Sequence, residues 1–138
     1  MTRSVVDQVL VDEDGPRLVA AQCSTCETTT FPAPSGCPRC TSTTLERVLL
    51  PTTGRLWTWT VQGFRPKAPY RGPEPFEPYG VGYVEFPGQC IVEGRLTTTD
   101  VDQLVIGRPM RLTTVVFAVD DDGTDLTTFA FEPSAEAA

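Results

Sequence analysis

Cys23-Ser24-Thr25-Cys26 and Cys37-Pro38-Arg39-Cys40 are two Cys-x-x-Cys motifs, and ten residues separate them. A two-residue gap lets both thiolates of one motif reach one ion, and Zn²⁺ prefers a tetrahedral set of such sulfur ligands. Because four thiolates close the coordination shell, no position remains for water or substrate, and the ion is structural. The sequence therefore predicts a structural zinc site with the ligands Cys23, Cys26, Cys37 and Cys40.

Two disulfides, or a dithiol redox motif, are the alternatives for these cysteines. The first ten residues contain one arginine and no continuous apolar run, and no stretch of the chain has the length and hydropathy of a membrane span. We therefore expect a cytoplasmic protein, and paired cysteines in a reducing compartment bind metal more often than each other. The fifth cysteine, Cys90, begins the apolar run Cys90-Ile91-Val92, which predicts a small buried hydrophobe.

Length and charge restrict the function. With 138 residues and 40% hydrophobic content, the chain can bury one modest core beside a metal-stabilised subdomain. The formal net charge of −7 opposes binding to a polyanion. A nucleic-acid-binding zinc-ribbon module is therefore kept only as an alternative interpretation of the chain's function. The chain has no histidine, the commonest general acid or base near neutral pH. Catalysis by this chain alone is therefore not expected.

The residues after Gly54 have an all-β pattern. Residues 55–64 alternate with a period of two, which predicts a strand with Trp57 and Trp59 on the same face. Four further β-rich runs follow, at Val81–Phe86, Cys90–Leu96, Met110–Val119 and Leu126–Phe131. Five strands is the count of the OB fold. The predicted class is thus mainly β, with an N-terminal segment and rubredoxin-like zinc ribbon at residues 1–50 and a five-stranded OB-fold barrel at residues 51–138.

One long segment interrupts the strands. Residues 65–79 contain five prolines, three aromatic residues and three basic residues, namely Arg65, Lys67 and Arg71. Prolines reduce the entropy that a loop loses on ordering, so this loop can hold an extended shape against a partner or ligand. Loops of this length in compact domains are usually functional or disordered. A solvated connector is the alternative interpretation.

In their order, these motifs resemble the zinc-ribbon/OB-fold acyl-CoA-associated family, long catalogued as a domain of unknown function. The resemblance covers nearly the whole chain. Residues 57–64 and 75–80 are most similar to the branch found in steroid side-chain degradation. Besides the two cysteine motifs, the resemblance is carried by Phe31-Pro32, Gly54-Arg55-Leu56-Trp57-Thr58-Trp59-Thr60-Val61, Tyr79-Gly80-Val81-Gly82-Tyr83-Val84-Glu85 and Ile106-Gly107-Arg108-Pro109-Met110.

The resemblance implies a non-catalytic accessory subunit that binds a thiolase-superfamily enzyme acting on acyl-CoA. In the steroid branch, the partner is a thiolase-like aldolase that cleaves the side-chain CoA thioester by a retro-aldol reaction. A MaoC-type hydratase is a second implied partner, whereas nucleic acid and membranes are not. A CoA site shared with the partner enzyme is also implied. The candidate residues for contact with the CoA phosphates are Arg65, Lys67 and Arg71, because cationic side chains form charge-assisted bonds to phosphate.

The sequence departs from the family pattern in two places. Zinc knuckles often have glycine after the second cysteine, where a positive φ is favoured, but Glu27 and Thr41 occupy these positions. Members of the family usually begin with a helix, whereas residues 4–14 of this chain form a short, acidic segment. If zinc holds the ribbon together, we expect its loss to unfold residues 20–50 first and to leave the barrel folded.

Overall fold

The computed structural model describes residues 2–4, 10–12, 15–67 and 75–135. Within these ranges the chain forms strands, turns and loops and contains no helix, which confirms the mainly β class. The strands are β1 Thr2–Ser4, β2 Leu10–Asp12, β3 Pro16–Cys23, β4 Thr29–Thr30, β5 Leu45–Leu49, β6 Thr53–Gln62, β7 Tyr79–Phe86, β8 Cys90–Leu96, β9 Pro109–Val119 and β10 Asp125–Pro133.

Strands β6 to β10 form a closed five-stranded barrel. The strand order is β8-β7-β6-β9, and β10 pairs with both β9 and β8, which closes the circle. The pairs are antiparallel except for β8 with β10, where Arg95 lies opposite Ala130 and Leu96 opposite Phe131. Strand β1 extends the sheet by pairing in parallel with the first residues of β10. The barrel confirms the predicted OB fold.

The zinc ribbon is built around β3. Strands β2, β4 and β5 all pair antiparallel with β3, and β5 covers its length from Val19 to Cys23. The pair Asp14-Gly15 in the sequence predicts a tight hairpin turn, and the hairpin between β2 and β3 is present, with Gly15 at φ of +102°. Asp14, the other residue of the predicted turn signal, lies outside the described residues. This arrangement confirms the expected N-terminal ribbon.

A β-bulge in β6 separates the two tryptophans. Leu56 pairs with Val84, and Thr58 pairs with the next residue, Tyr83, so Trp57 is an extra residue in its strand. Because side chains alternate with a period of two, one inserted residue reverses the faces of those that follow it. Trp57 is therefore exposed, whereas Trp59 packs against the core. The prediction that both tryptophans share a face is wrong.

The ribbon and the barrel share one hydrophobic core. Leu18 and Ala20 of β3 and Leu50 after β5 are fully buried in the same cluster as the barrel residues. The barrel's contribution to this cluster is Leu56, Val84, Phe86, Val92, Leu96, Met110, Leu112 and Phe131, with Leu104 from a loop. Within the ribbon, the Leu50 N–H donates to the Leu18 carbonyl at 2.9 Å, which fixes the chain just before it enters the barrel. The division of the chain at residue 50 stays a prediction.

Phe31 shows the same coupling between ribbon and barrel. Phe31 is the one aromatic residue between the two cysteine motifs, and the sequence therefore predicts that it belongs to the ribbon's own core. In the structure its ring lies edge-on to Phe129 of β10, with 6.0 Å between ring centroids. Phe31 therefore packs against the barrel, and its assignment to a separate ribbon core is wrong. Aromatic pairs of this geometry add about 1 kcal/mol beyond the area they bury. The ribbon is thus seated on the barrel by side-chain packing as well as by chain continuity.

Candidate functional site

The two cysteine motifs fold into two knuckles with the same backbone geometry. In each knuckle, the residue after the second cysteine donates its N–H to the carbonyl of the first cysteine. The first cysteine in turn donates its N–H to a carbonyl five residues later. The four bonds are Glu27 N to Cys23 O at 2.9 Å, Cys23 N to Thr28 O at 2.9 Å, Thr41 N to Cys37 O at 2.9 Å and Cys37 N to Ser42 O at 2.8 Å.

Glu27 and Thr41 adopt the backbone conformation for which glycine is favoured. Both have φ of +66°, and they are the residues other than glycine with positive φ in the described chain. A side chain with a Cβ destabilises this conformation by about 1–2 kcal/mol, and a β-branched side chain is the least compatible with it. The knuckles therefore form without glycine, but the chain holds two strained residues next to its zinc ligands.

The four thiols lie together. All four Sγ atoms are within 4.8 Å of one another, with 3.5 Å between those of Cys23 and Cys40 and 3.6 Å between those of Cys26 and Cys37. Four sulfur atoms arranged tetrahedrally at about 2.3 Å from a zinc ion are about 3.8 Å apart, whereas a disulfide needs about 2.05 Å. The cysteines are free, and their geometry fits a structural zinc site.

The electrostatics of the cluster also suit a divalent cation. Hydrogen bonds from the backbone N–H groups of Cys26 and Thr25 lower the pKa of the Cys23 thiol to about 6. The Ser42 backbone acts in the same direction on Cys40, but the neighbouring Cys23 thiol and burial together raise the pKa of Cys40 to about 12. Because neighbouring thiolates repel each other, a cation held between the four sulfur atoms would favour the loss of their protons.

An exposed apolar surface lies on the outside of the barrel. The ring of Trp57 tilts against that of Tyr83 on β7, with 6.2 Å between centroids. The Gly107 N–H donates to the Leu56 carbonyl at 2.7 Å, which places the loop before β9 beside Trp57. We call this surface the Trp57 face. Its members and their exposed fractions are Trp57 53%, Tyr83 40%, Val105 55% and Ile106 58%.

The predicted CoA-contact residues lie in the proline-rich loop. Arg65 and Lys67 are exposed, and Arg71 lies outside the described residues.

The sequence interpretation missed Arg95, whose guanidinium carbon lies 3.8 Å from the centroid of the Tyr79 ring. A charged residue within an apolar strand was the signal that could have identified it. Cys90 is half-buried against the core, and burial raises the pKa of its thiol.

Two family models match adjoining parts of the chain. The model described as "ChsH2, rubredoxin-like zinc ribbon domain" matches residues 14–46, and "ChsH2, C-terminal OB-fold domain" matches residues 47–115. The chain belongs to the ChsH2 family. The family description and the thiol geometry agree on a structural zinc ion in the ribbon. In the described part of this ChsH2-family chain, no helix has the length and apolar character needed to cross a bilayer.

Similar proteins support the same fold and the same family. A DUF35 domain-containing scaffold protein of Methanocaldococcus jannaschii is 27% identical over 109 residues, which are 78% of this chain and 73% of the relative. A chain of the solved structure "Ltp2-ChsH2(DUF35) aldolase" matches with a TM-score of 0.63 and 27% identity, over 85% of this chain and 84% of that chain. A DUF35-family protein of unknown function from Sulfolobus solfataricus, 13% identical, matches 86% of this chain and 76% of its own with a TM-score of 0.53, which shows the fold alone.

Replacing Thr41 by glycine should stabilise the zinc-loaded protein. The substitution removes a β-branched residue from φ of +66°, and we expect the free energy of unfolding to rise by about 1 kcal/mol. The exposed Thr41 hydroxyl bond to the Cys40 carbonyl is lost, which offsets a small part of the gain. Urea unfolding of the zinc-loaded protein, followed by far-UV circular dichroism, measures the change.

Thr43→Gly is the matched control. Thr43 is exposed in the same loop and lies outside the strands, and its φ is not positive, so glycine there only increases the entropy of the unfolded chain. The control should be neutral or slightly destabilising. Equal stabilities of the Thr41→Gly and Thr43→Gly variants would show that the knuckle conformation stores no strain.

Proposed function

We propose that this ChsH2-family chain is a non-catalytic accessory subunit that binds a thiolase-superfamily enzyme. The observation that carries the proposal is the Trp57 face, because a group of large aromatic and aliphatic side chains that are 40–58% exposed in a folded domain is typical of protein interfaces. The likeness to a chain of an aldolase complex and to a scaffold protein supports a binding role. The absence of histidine agrees with catalysis by the partner.

The family resemblance supports a more specific form of this proposal. The partner is a thiolase-like aldolase that cleaves the CoA thioester of a steroid side chain by a retro-aldol reaction, in the cytoplasm. A MaoC-type hydratase is a further partner in the same assembly. Within such an assembly, the zinc-ribbon and barrel chain stabilises the enzyme and the enzyme supplies the catalytic residues.

The proline-rich loop is the proposed point of contact with CoA. Arg65 and Lys67 are exposed, and they stand with Arg71 in one short segment of a chain whose net charge is −7. A local group of cations in an acidic protein can attract phosphate across an interface without favouring long polyanions. The proposed cofactor-binding residues are therefore Arg65, Lys67 and Arg71.

We assign Cys23, Cys26, Cys37 and Cys40 as the four zinc ligands. A closed shell of thiolates leaves no site for a substrate, so the ion would stabilise the ribbon and take no part in a reaction. Binding of a structural zinc ion contributes on the order of 10 kcal/mol to small ribbon modules. The metal would thereby hold β3 and β5 in the positions from which they pack on the barrel.

Substitution of a single ligand should release the zinc. Cys37→Ser removes one thiolate from the buried side of the cluster, and we expect purified protein to contain much less than one zinc ion per chain. The control is Cys90→Ser, since Cys90 lies outside the cluster and should leave the zinc content unchanged. Native mass spectrometry reports the bound metal directly. Full zinc occupancy in the Cys37→Ser protein would contradict the ligand assignment.

Removal of the Trp57 side chain should weaken binding to the partner enzyme. Trp57→Ser deletes an exposed aromatic ring, so the fold is retained, while truncation of a central interface tryptophan usually reduces affinity by about 2 kcal/mol or more, roughly 30-fold. The measurement is co-purification of a thiolase-superfamily enzyme, identified by mass spectrometry, with the tagged chain, followed by titration of that enzyme.

Val119→Ser is the control for this experiment. Val119 is as exposed as Trp57 but lies at the opposite end of β9 from the residues that pair with β6. Its substitution should leave partner binding unchanged. If Trp57→Ser and wild-type chains bind the enzyme equally well, the Trp57 face is not the interface, and if neither retains such an enzyme, the accessory-subunit function is wrong.

A further inference from the structure

A second surface feature is formed by residues that belong neither to the zinc site nor to the Trp57 face. It is a cleft of about 270 Å³ where β7 begins, β8 ends and β9 passes its midpoint. A contiguous cleft of about 320 Å³ shares Tyr79 and Thr97 with it and adds the residues Thr98 and Thr99. In OB folds, the face of the second and third barrel strands, here β7 and β8, is a common binding surface.

Arg95 is the basic residue of the cleft, and aromatic rings hold it in place. Its guanidinium carbon lies 3.8 Å from the Tyr79 centroid and 5.9 Å from the Phe117 centroid. Stacking of this kind occupies the faces of the planar guanidinium and leaves its N–H edges for hydrogen bonds. Within residues 15–67 and 75–135, the Arg95 guanidinium has neither a hydrogen bond nor an ion pair to a carboxylate. Its donors are therefore available to a ligand.

The walls of the cleft restrict the ligand to a small anion with an apolar body. Leu96, Val115 and Phe117 provide apolar surface, whereas Thr97 contributes a hydroxyl group. Glu77 also lines the cleft, and its negative charge opposes a ligand of charge −2 more strongly than one of charge −1. A guanidinium fork binds a carboxylate or a phosphate in a bidentate pair, so the choice between these two anions rests on Glu77. The combination favours a monoanionic carboxylate over a phosphate monoester.

We propose that the Arg95 cleft is a binding site for a carboxylate group attached to an aromatic or aliphatic body. Arg95 binds the carboxylate, Thr97 offers a further hydrogen bond, and the ring of Phe117 with Val115 contacts the body. The site uses none of the residues of the Trp57 face, whereas Glu77 and Tyr79 belong to the proline-rich segment of residues 65–79. Glu77 acts as the selective residue, since it disfavours more highly charged ligands.

Benzoate is the probe that tests this site, with NMR of the uniformly ¹⁵N-labelled, zinc-loaded chain as the measurement. We expect saturable shifts of the Arg95 side-chain and Thr97 amide signals. Benzamide, the neutral analogue of benzoate, should cause none, and phenyl phosphate should bind more weakly than benzoate. Tighter binding of phenyl phosphate would overturn the carboxylate assignment, and the absence of saturable benzoate shifts would overturn the site.

Two substitutions of opposite sign test the residue roles. Arg95→Gln should weaken benzoate binding at least tenfold, and Glu77→Gln should strengthen it about threefold, because the charges act in opposite directions. Arg55→Gln is the control, as Arg55 is an exposed arginine of β6 that does not line the cleft. Benzoate binding that is unchanged in Arg95→Gln would contradict the proposal.

The carboxylate can come from a protein chain or from a small-molecule acid, and a competing peptide distinguishes these two sources. A short peptide that is blocked at both ends and contains one glutamate presents the same group from a protein chain. Displacement of benzoate by this peptide at equal or lower concentration would assign the cleft to a protein carboxylate. Benzoate binding that the peptide does not displace would assign the cleft to a small-molecule acid.

Discussion

The packing of β3 and Leu50 against the barrel is the contact on which the rest of the structure depends. Leu18, Ala20 and Leu50 are completely buried, and they belong to the same cluster as the barrel's Phe86 and Phe131. Burial of two leucines and an alanine contributes about 4 kcal/mol, a large share of the free energy of unfolding of a small domain. The zinc ion stabilises the other ends of β3 and β5. Metal binding and barrel packing therefore act on the same strands.

This coupling gives the zinc site a role beyond local stability. The first knuckle begins where β3 ends, at Cys23. Strand β5, which leads to the barrel, begins five residues after Cys40. Two residues with positive φ, Glu27 and Thr41, are held in strained conformations at these turns. The hydrogen bonds of the knuckles and the metal compensate for that strain. Between the two knuckles, the aromatic residue of the ribbon, Phe31, packs against Phe129.

Much of the architecture could be predicted from local patterns. The spacing of the cysteines identified the zinc ribbon, and strand periodicity with glycine turn signals identified five barrel strands, of which β8 matched to the residue. The bulge at Trp57 could not be predicted, because the period-two alternation of a sequence does not show which residue is left unpaired in the sheet. The position of Phe31 could not be predicted either, since its contact with Phe129 joins residues almost 100 positions apart.

The surfaces were harder to predict than the core for a similar reason. Val105 and Ile106 join Trp57 and Tyr83 only because a backbone bond brings a distant loop beside β6. Arg95 meets Tyr79 through the pairing of β8 with β7, whereas Phe117 comes from β9, which does not pair with β8. A sequence shows which residues are apolar or charged, but the assembly of a surface from separate strands requires the fold. The two surfaces place a candidate protein contact and a small cleft on one rigid scaffold.

Hydrogen exchange of the zinc-loaded chain, measured by mass spectrometry with and without a metal chelator, tests the shared core most directly. We expect chelation to increase exchange in β3 and β5 and also in β6 and β9, since their core neighbours Leu18 and Leu50 are released. A chelator already saturated with zinc is the control and should change nothing. Increased exchange confined to residues 20–50, with the barrel as protected as before, is the outcome expected from the sequence alone, and it would contradict a common core.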